Sequence, residues 1–277
     1  MNSLHAIAAA LAVASSPAFA SGPNSATVTF AAGAEGWSLN GWNTVTATGG
    51  NPAHRLHWNN FVDNFGMSAR NSTHPAFIGD YTQKGPVTLS IDFQVNFIQF
   101  FGTPVPRDLV VILYDDHTFN GAPAAAVWKH VGTLPGGAMP WTTFSAQVTD
   151  VASAALPQGW RGAGAEDPNT FEPVLPAGRT WTNVLQGVDR IEFTTYVPGF
   201  FYGFTNFNLS IDNATIQPIA TPCPEDLTGD GVVNGADLGA LLTAWGTTDP
   251  AADLTNDQFV DGADLGQLLT AWGACPR

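Results

Sequence analysis

Positive charge is scarce in this chain. Of 277 residues only nine are Lys or Arg, against 23 Asp or Glu, giving a formal net charge of −14. A surface so poor in cations has little to offer a polyphosphate, which excludes nucleic acid as a principal partner. Charged residues of either sign amount to only 12%, too few for long solvent-facing helices. Cysteine occurs twice, at positions 223 and 275. No apolar run reaches the roughly 18 residues that a membrane-spanning helix needs. What the chain does have is Gly (29), Pro (20), Phe (18) and Trp (9), with 44% of residues apolar. That mixture predicts many turns and short strands around a real core, in one large or two modest domains.

The acids are unevenly placed. From Gln217 onward there are nine acids and one base, Arg277; before it there are fourteen acids and eight bases. Carboxylates this dense repel one another unless a cation compensates them, and calcium is the first suspect. At the other end, MNSLHAIAAALAVASSPAFA carries a modest apolar run, Ala6 to Ala14. Ala18-Phe19-Ala20 then gives the small-residue pattern of a cleavage site, although no Lys or Arg precedes the run. Residues 1–20 are therefore expected to be a signal peptide, and the mature protein to be secreted and cell-surface associated. In an exported chain Cys223 and Cys275 either close a disulfide around the acidic segment or stay as two free thiols. Closure would stabilise the segment by about 4 kcal/mol in the chain-entropy picture.

The acidic segment says one thing twice: DLTGDGVVNGADLGALLTAWG from Asp226 and DLTNDQFVDGADLGQLLTAWG from Asp253. Each copy opens with twelve residues bearing side-chain oxygens at loop positions 1, 3, 5, 9 and 12. These are Asp226, Thr228, Asp230, Asn234 and Asp237, then Asp253, Thr255, Asp257, Asp261 and Asp264. The carbonyl of Val232 or Phe259 adds a sixth oxygen at position 7. Calcium takes six to eight oxygens, so two calcium ions are expected. Position 6 requires a positive φ, which suits Gly231 and costs Gln258 about 1 kcal/mol. Leu238, Leu241, Leu242 and Trp245 then fall on one helical face, repeated by Leu265, Leu268, Leu269 and Trp272. Neither helix is long enough to stand alone. Packing two copies face to face is expected to bury both stripes.

These residues resemble a type I dockerin, the duplicated calcium module that anchors secreted proteins to cohesin domains. The duplicated loop, Asp rather than Glu at position 12, and a single following helix carry the resemblance over residues 223–277. The closing WGACP is similar to Gly-Cys-ended dockerin variants. The resemblance implies calcium-dependent docking to a cohesin-like or cell-surface partner. It also implies that positions 10 and 11, here Gly235-Ala236 and Gly262-Ala263, face that partner. Those positions are often Ser-Thr in the family, and their hydroxyls are missing here.

Residues 22–216 follow a different pattern. In TLSIDFQVNF, Leu89, Ile91, Phe93, Val95 and Phe97 alternate with polar residues, and DLVVILYDD, 108–116, is a continuous apolar run. RIEFTTYV and FNLSIDNATI predict two later strands, and turn clusters at 49–52 and 135–137 separate the elements. The expectation is an all-β sandwich. AEGWSL (34–39), GNPAHRLHW (50–58), HPAFIGDYTQKGPVTLSIDFQV (74–95) and SIDNATI (210–216) resemble the laminin B, or laminin IV type A, domain. That resemblance implies a jelly-roll-like sandwich with no catalytic residues to carry over. A Pro-rich linker, 217–224, joins it to the acidic module.

The motif search finds no phosphate loop, nucleophile elbow or HExxH zinc motif. His54 and His57 are three apart on a strand, on opposite faces, which opposes a metal site. Asp115, Asp116, Glu166, Asp167 and Glu172 are the acids from which a glycosidase pair would have to come, but they read as solvated turn acids. Trp42, Trp128, Trp141, Trp160, Trp181 and PGFFYGF, 198–204, are candidates for stacking on sugar rings, with core packing as the plain reading of each. Asp212 reads as a strand-end turn residue or, as in related jelly rolls, a structural calcium ligand. The function expected is therefore a non-enzymatic binding protein. A sandwich recognises a ligand, for which a glycan is the candidate, and a calcium-loaded module anchors it. A polysaccharide-degrading hydrolase carried by the same anchor is the alternative.

Overall fold

The computed structural model describes residues 25–41, 43–219 and 223–275, with backbone alone at 59–63. The expected signal peptide, Trp42 and the middle of the linker lie outside the described residues. The strands that precede the acidic module are, in chain order, β1 (Ala26–Val28), β2 (Trp37–Leu39), β3 (Asn43–Thr46), β4 (Arg55–Asn64), β5 (Ser68–Asn71), β6 (Val87–Phe100), β7 (Thr103–Pro104), β8 (Arg107–Asp115), β9 (Ala125–Leu134), β10 (Met139–Val148), β11 (Trp160–Ala163), β12 (Ala165–Glu166), β13 (Pro173–Val174), β14 (Arg190–Thr194) and β15 (Thr205–Pro218). One sheet runs β10-β6-β15-β4-β3, with β1 added to β15 and β7 to β6. The other runs β11-β9-β8-β14-β5-β2. The pairings within both are antiparallel. Two short helices, α1 (Tyr81–Lys84) and α2 (Trp181–Leu185), lie in the connections.

The two sheets enclose one apolar core. Trp37, Trp58, Phe93, Phe193, Phe207 and Trp181 are all almost fully buried in it. Each such side chain contributes about 1.5–3 kcal/mol by leaving water. The alternation in β6 sends Leu89, Ile91, Phe93 and Val95 into that core, as the sequence predicts. Phe97 does not follow them. The β6–β15 register skips Asn96, pairing Phe97 with Asn208 and Val95 with Leu209. This bulge flips the strand's facing, so Ile98 enters the core and Phe97 is left half-buried. The apolar run of β8 has a different cause. Leu109, Val111 and Leu113 face the main core, while Val110 and Ile112 form a second buried cluster with Ala126 and Trp128 on the outer side.

The acidic module is a separate small core. The helices α3 (Gly235–Thr243) and α4 (Gly262–Thr270) each follow an acidic loop and start with a capping box. Strand β16 (Val232–Val233) pairs with β17 (Gly273–Ala274). Twenty-seven residues along, Gly246 N donates to Val260 O and Val260 N to Thr247 O, both at 2.9 Å. Each loop's valine is thus paired with the stretch that follows the other copy's helix. That exchange gives a physical reason for the duplication: one copy alone has no edge to pair with. Val233, Leu241, Ala252, Leu254, Val260 and Leu268 are buried, and Cys223 and Cys275 pack against them as a disulfide. The helical stripes are only half used. Leu241 and Leu268 are fully buried, but Leu242, Trp245, Leu269 and Trp272 are 45–52% exposed. Helices of nine residues crossing a six-residue core cannot cover a stripe this wide.

Candidate metal loops and a candidate ligand cleft

In the first acidic loop Asp226 curls the backbone around itself. Its Oδ1 accepts from Gly229 N at 2.8 Å and Asp230 N at 3.1 Å, and its Oδ2 from Gly231 N at 2.7 Å. Asp237 closes the loop from the helix side and is fully buried. Its Oδ1 accepts from Thr228 N and Oγ1, both at 2.9 Å, and its Oδ2 from Asn234 N at 2.8 Å. Thr228 Oγ1 also lies 3.4 Å from Asp226 Oδ1. On the other side, Asn234 Nδ2 lies 3.4 Å from Asp230 Oδ2 and 3.1 Å from Val232 O. The Thr228 hydroxyl thus links positions 1, 3 and 12, and the Asn234 amide nitrogen links positions 5, 7 and 9.

The second loop repeats the arrangement. Asp253 accepts from Asp257 N at 3.1 Å and Gln258 N at 2.8 Å. Asp264, also fully buried, accepts from Thr255 N at 3.0 Å, Thr255 Oγ1 at 3.1 Å and Asp261 N at 2.7 Å. Asp257 accepts from Phe259 N at 3.0 Å, as Asp230 does from Val232 N at 2.9 Å. The turn at position 6 has φ 87° at Gly231 and 75° at Gln258, so a glutamine occupies a left-handed conformation that suits glycine.

Burial by itself would raise the pKa of Asp237 and Asp264. The hydrogen bonds from Asn234, Asp261 and the two threonines outweigh it and hold both carboxyls below their ordinary value. Both loops are therefore charged and pre-curled. Asp226 Oδ2, Asp237 Oδ2, both Asp253 oxygens and Asp264 Oδ2 each accept a single N–H and keep a lone pair beyond it. The donors are oxygens throughout, and the segment's single base is Arg277. This set fits a hard divalent cation such as calcium. Asp226, Thr228, Asp230, Asn234, Asp237 and the Val232 carbonyl would hold one ion. Asp253, Thr255, Asp257, Asp261, Asp264 and the Phe259 carbonyl would hold the other. Gly235, Ala236, Gly262 and Ala263 are exposed on the first turns of α3 and α4.

On the sandwich a cleft of about 630 Å³ opens beside β14, lined by Ser38, Arg70, Ser72, Asp116, His117, Asp189 and Arg190. Arg190 stacks over the Tyr114 ring at 3.9 Å and pairs with Glu192 at 3.2 Å. Ser68 Oγ donates to the other Glu192 oxygen at 2.9 Å. Burial, reinforced by Glu192, pushes the Tyr114 hydroxyl far above its ordinary value despite Arg190, so it is a neutral donor. At the rim His117 Nδ1 lies 3.0 Å from Asp189 and 3.4 Å from Asp115. Asp115 itself is tied to the buried Arg179 guanidinium, which is held in turn by the carbonyls of His117 and Pro123. The cleft thus presents guanidinium, carboxylate, imidazole and hydroxyl groups, with the Tyr114 ring and Glu192 packed against Arg190.

The acids considered for hydrolysis do not assemble around it. Asp115 is consumed by Arg179, and Asp116 faces Arg190 at 3.7 Å. Glu166 and Glu172 belong to the β12–β13 hairpin, where Asp167 accepts from Asn169 N and Thr170 N and caps the turn. Asp212 is not at a strand end. It lies inside β15 at a second bulge, 1% exposed and in register with Asp92, which is 5% exposed. Burial first, and Asp92 second, push its carboxyl above the ordinary value.

Of the aromatic candidates, Trp160 and Trp181 stack on each other in the core at 4.9 Å. Trp128 is buried on the outer side of the sheet, donates to Gly162 O at 3.2 Å and carries Arg161 over its ring at 5.4 Å. Trp141 is half-buried. The PGFFYGF segment is different, because Phe200, Phe201 and Phe204 stand exposed. The cleft residues Arg70, Tyr114, Arg190 and Glu192 carried no readable signal. They come from three strands far apart in sequence, and only the antiparallel register of β5, β8 and β14 brings them together.

No family model matches the chain, and no curated protein matches its sequence. Solved structures give partial likenesses. The xylan-binding domain from CBM 22 is 12% identical, over 72% of this chain and 96% of that one, with a TM-score of 0.40. The Clostridium thermocellum endo-1,4-beta-D-xylanase 10B fragment with CBM22-1 and GH10 modules, complexed with xylohexaose, is 14% identical. It is matched over 79% of this chain and 35% of its own length, at 0.38. An exo-beta-agarase is 14% identical over 80% of this chain and 32% of its own, at 0.40. Likeness at this level settles neither the fold nor the ligand.

Proposed function

We propose that the protein is a secreted, non-enzymatic glycan-binding protein in which the sandwich recognises a polysaccharide and the C-terminal module is a calcium-ordered, dockerin-like anchor. The observation that carries the anchor is the recurrence, residue for residue, of one hydrogen-bonded set of inward oxygens in two loops with almost no base nearby. Calcium would order the loops, the loops fix the starts of α3 and α4, and the helices present their outer faces. The exposed Leu242, Trp245, Leu269 and Trp272 lie on those faces at equivalent positions. A cohesin-like or cell-surface protein docking there would meet two related surfaces.

For the sandwich, the cleft around Arg70, Arg190, Glu192 and Tyr114 offers the hydrogen-bonding groups that orient sugar hydroxyls, with aromatic surface beside them. A hydrolase reading would need a free carboxylate pair, and the two acids that line this cleft are engaged, Asp116 by Arg190 and Asp189 by His117. The test of the anchor is capture from the host's envelope with the whole protein, in calcium and in chelator. Capture that is unaffected by chelator would refute it. Titration should also find two calcium sites, both lost in an Asp226→Ala/Asp253→Ala variant.

A further inference from the structure

The sandwich carries a second aromatic feature that the cleft does not use. Phe65 sits half-buried with Phe201 packed against it at 4.9 Å and Phe204 at 4.1 Å. Gly203, between the latter and Tyr202, lies so close to Phe100 that a Cβ there would be 3.2 Å from the ring. Phe100 in turn packs on Phe101 at 4.7 Å, and Phe200 on Tyr202 at 4.6 Å. The β4–β5, β6–β7 and β14–β15 connections thus join into one phenylalanine ridge. Its outer members are far from buried: Phe101 is 86% and Phe201 73% exposed.

Two details oppose a merely structural role. Phe101 occupies the turn before Gly102 with φ 47°, a left-handed conformation that a bulky residue fits poorly. Any Asn or Gly would fill that turn better, and the ring gains little burial in return. Phe171, 73% exposed at φ 59° on the neighbouring β12–β13 hairpin, repeats the combination. That hairpin is adjacent because Gly199 approaches Pro173 so closely that a Cβ would lie 2.7 Å away. Strained and exposed aromatic residues mark an interaction surface.

The ridge is continuous with the cleft side of the sandwich. The segment that bears it begins at Val197, which packs on the outer cluster of Val110, Ile112 and Trp128, and Tyr202 OH donates to Asp108 at the start of β8. Asp115, at the other end of β8, adjoins the cleft. Cleft and ridge thus lie toward opposite ends of β8, and a polymer leaving the cleft would reach the ridge by passing over the cover that Val197 and Trp128 form on its outer side. Charge points the same way. The ridge segments contain no Lys or Arg, the Arg107 guanidinium that stacks over the Tyr202 ring at 4.5 Å is buried, and the chain is strongly acidic, which disfavours polyanions and anionic lipid. Nor are its rings coplanar: Phe65 is tilted 45° to Phe201 and 33° to Phe204. Such rings suit successive sugars of a twisted chain better than the flat facet of a crystal.

Resting on the glycan reading above, we infer that the phenylalanine ridge is an extended subsite that stacks on the sugar rings of an uncharged, non-crystalline polysaccharide emerging from the cleft. The experiment compares wild type, Phe101→Ala/Phe201→Ala and the cleft variant Arg70→Ala/Glu192→Gln. Probes are neutral insoluble amorphous polysaccharides (swollen cellulose, xylan, agarose), their short soluble oligosaccharides, and phosphatidylcholine vesicles. The inference expects the ridge variant to lose about tenfold or more on the polymer while keeping oligosaccharide binding, and the cleft variant to lose both. Polymer binding that the ridge variant retains in full overturns the subsite and leaves the glycan reading standing. Wild type that binds no glycan overturns both. Vesicle binding that the ridge variant abolishes makes the ridge a lipid surface and overturns the subsite. Both phenylalanines are exposed, so an unchanged melting curve is expected and separates lost contact from lost fold.

Discussion

The sandwich and the acidic module reach a folded state by opposite means. The sandwich buries several tryptophans and phenylalanines between two sheets and would be recognisable from hydrophobic burial alone. The module buries six small or medium side chains, far too few to offset the ordering of some fifty residues. Its remaining support is chemical: one disulfide and, on the proposed reading, a cation that the loop oxygens would cage. Apolar burial tolerates many substitutions at modest loss, whereas a cage or a bridge fails when one member goes. The two regions should therefore respond to different insults.

The largest effect expected is on metal removal. Chelation, or the Asp226→Ala/Asp253→Ala variant, should abolish the helical circular dichroism of the module and leave the sandwich's unfolding transition in place. Loss of both together would break the contrast. Its converse is Trp181→Ala, which should cost the sandwich about 3–5 kcal/mol with no change in calcium affinity. A smaller effect is expected for Gln258→Gly, which relieves the left-handed strain of the second loop and should tighten that site by about 1 kcal/mol, readable by calorimetry as a narrowing of the split between two otherwise similar sites. The smallest concerns acid. Asp237 and Asp264 have folded-state values below the ordinary 3.8. Their contribution is full above that value and is lost only as pH falls through the lower folded value. The calcium-loaded module should thus show no loss of structure between pH 7 and about 5.

Periodicity made the strands legible where only one face of a sheet is buried, as in β6 up to Val95. It misplaced Phe97 because a bulge is a property of two strands in register, and a single strand's pattern does not contain it. The apolar run of β8 was legible as burial on both faces, but the cover on its outer side came from residues such as Trp128 and Val197 that are distant in sequence. The acidic loops were legible because their contacts are local: spacing within twelve residues decides which groups converge. The cleft was invisible for the opposite reason, being assembled across β5, β8 and β14. The half-exposed Leu242, Trp245, Leu269 and Trp272 show a further limit. A stripe reveals which side of a helix is greasy, and leaves open whether this chain or a partner covers it.

The bridge between Cys223 and Cys275 joins the first and last described residues of the module, 52 positions apart. Tension arriving through the sandwich at Cys223 would divide at the sulfur, entering the domain from both ends at once. A pull that might peel the first loop away from the second would instead load a covalent ring, with the β16–β17 pair and its counterpart at Val260 stretched in parallel. Such a tether holds until its grip on the partner gives way, not its own fold.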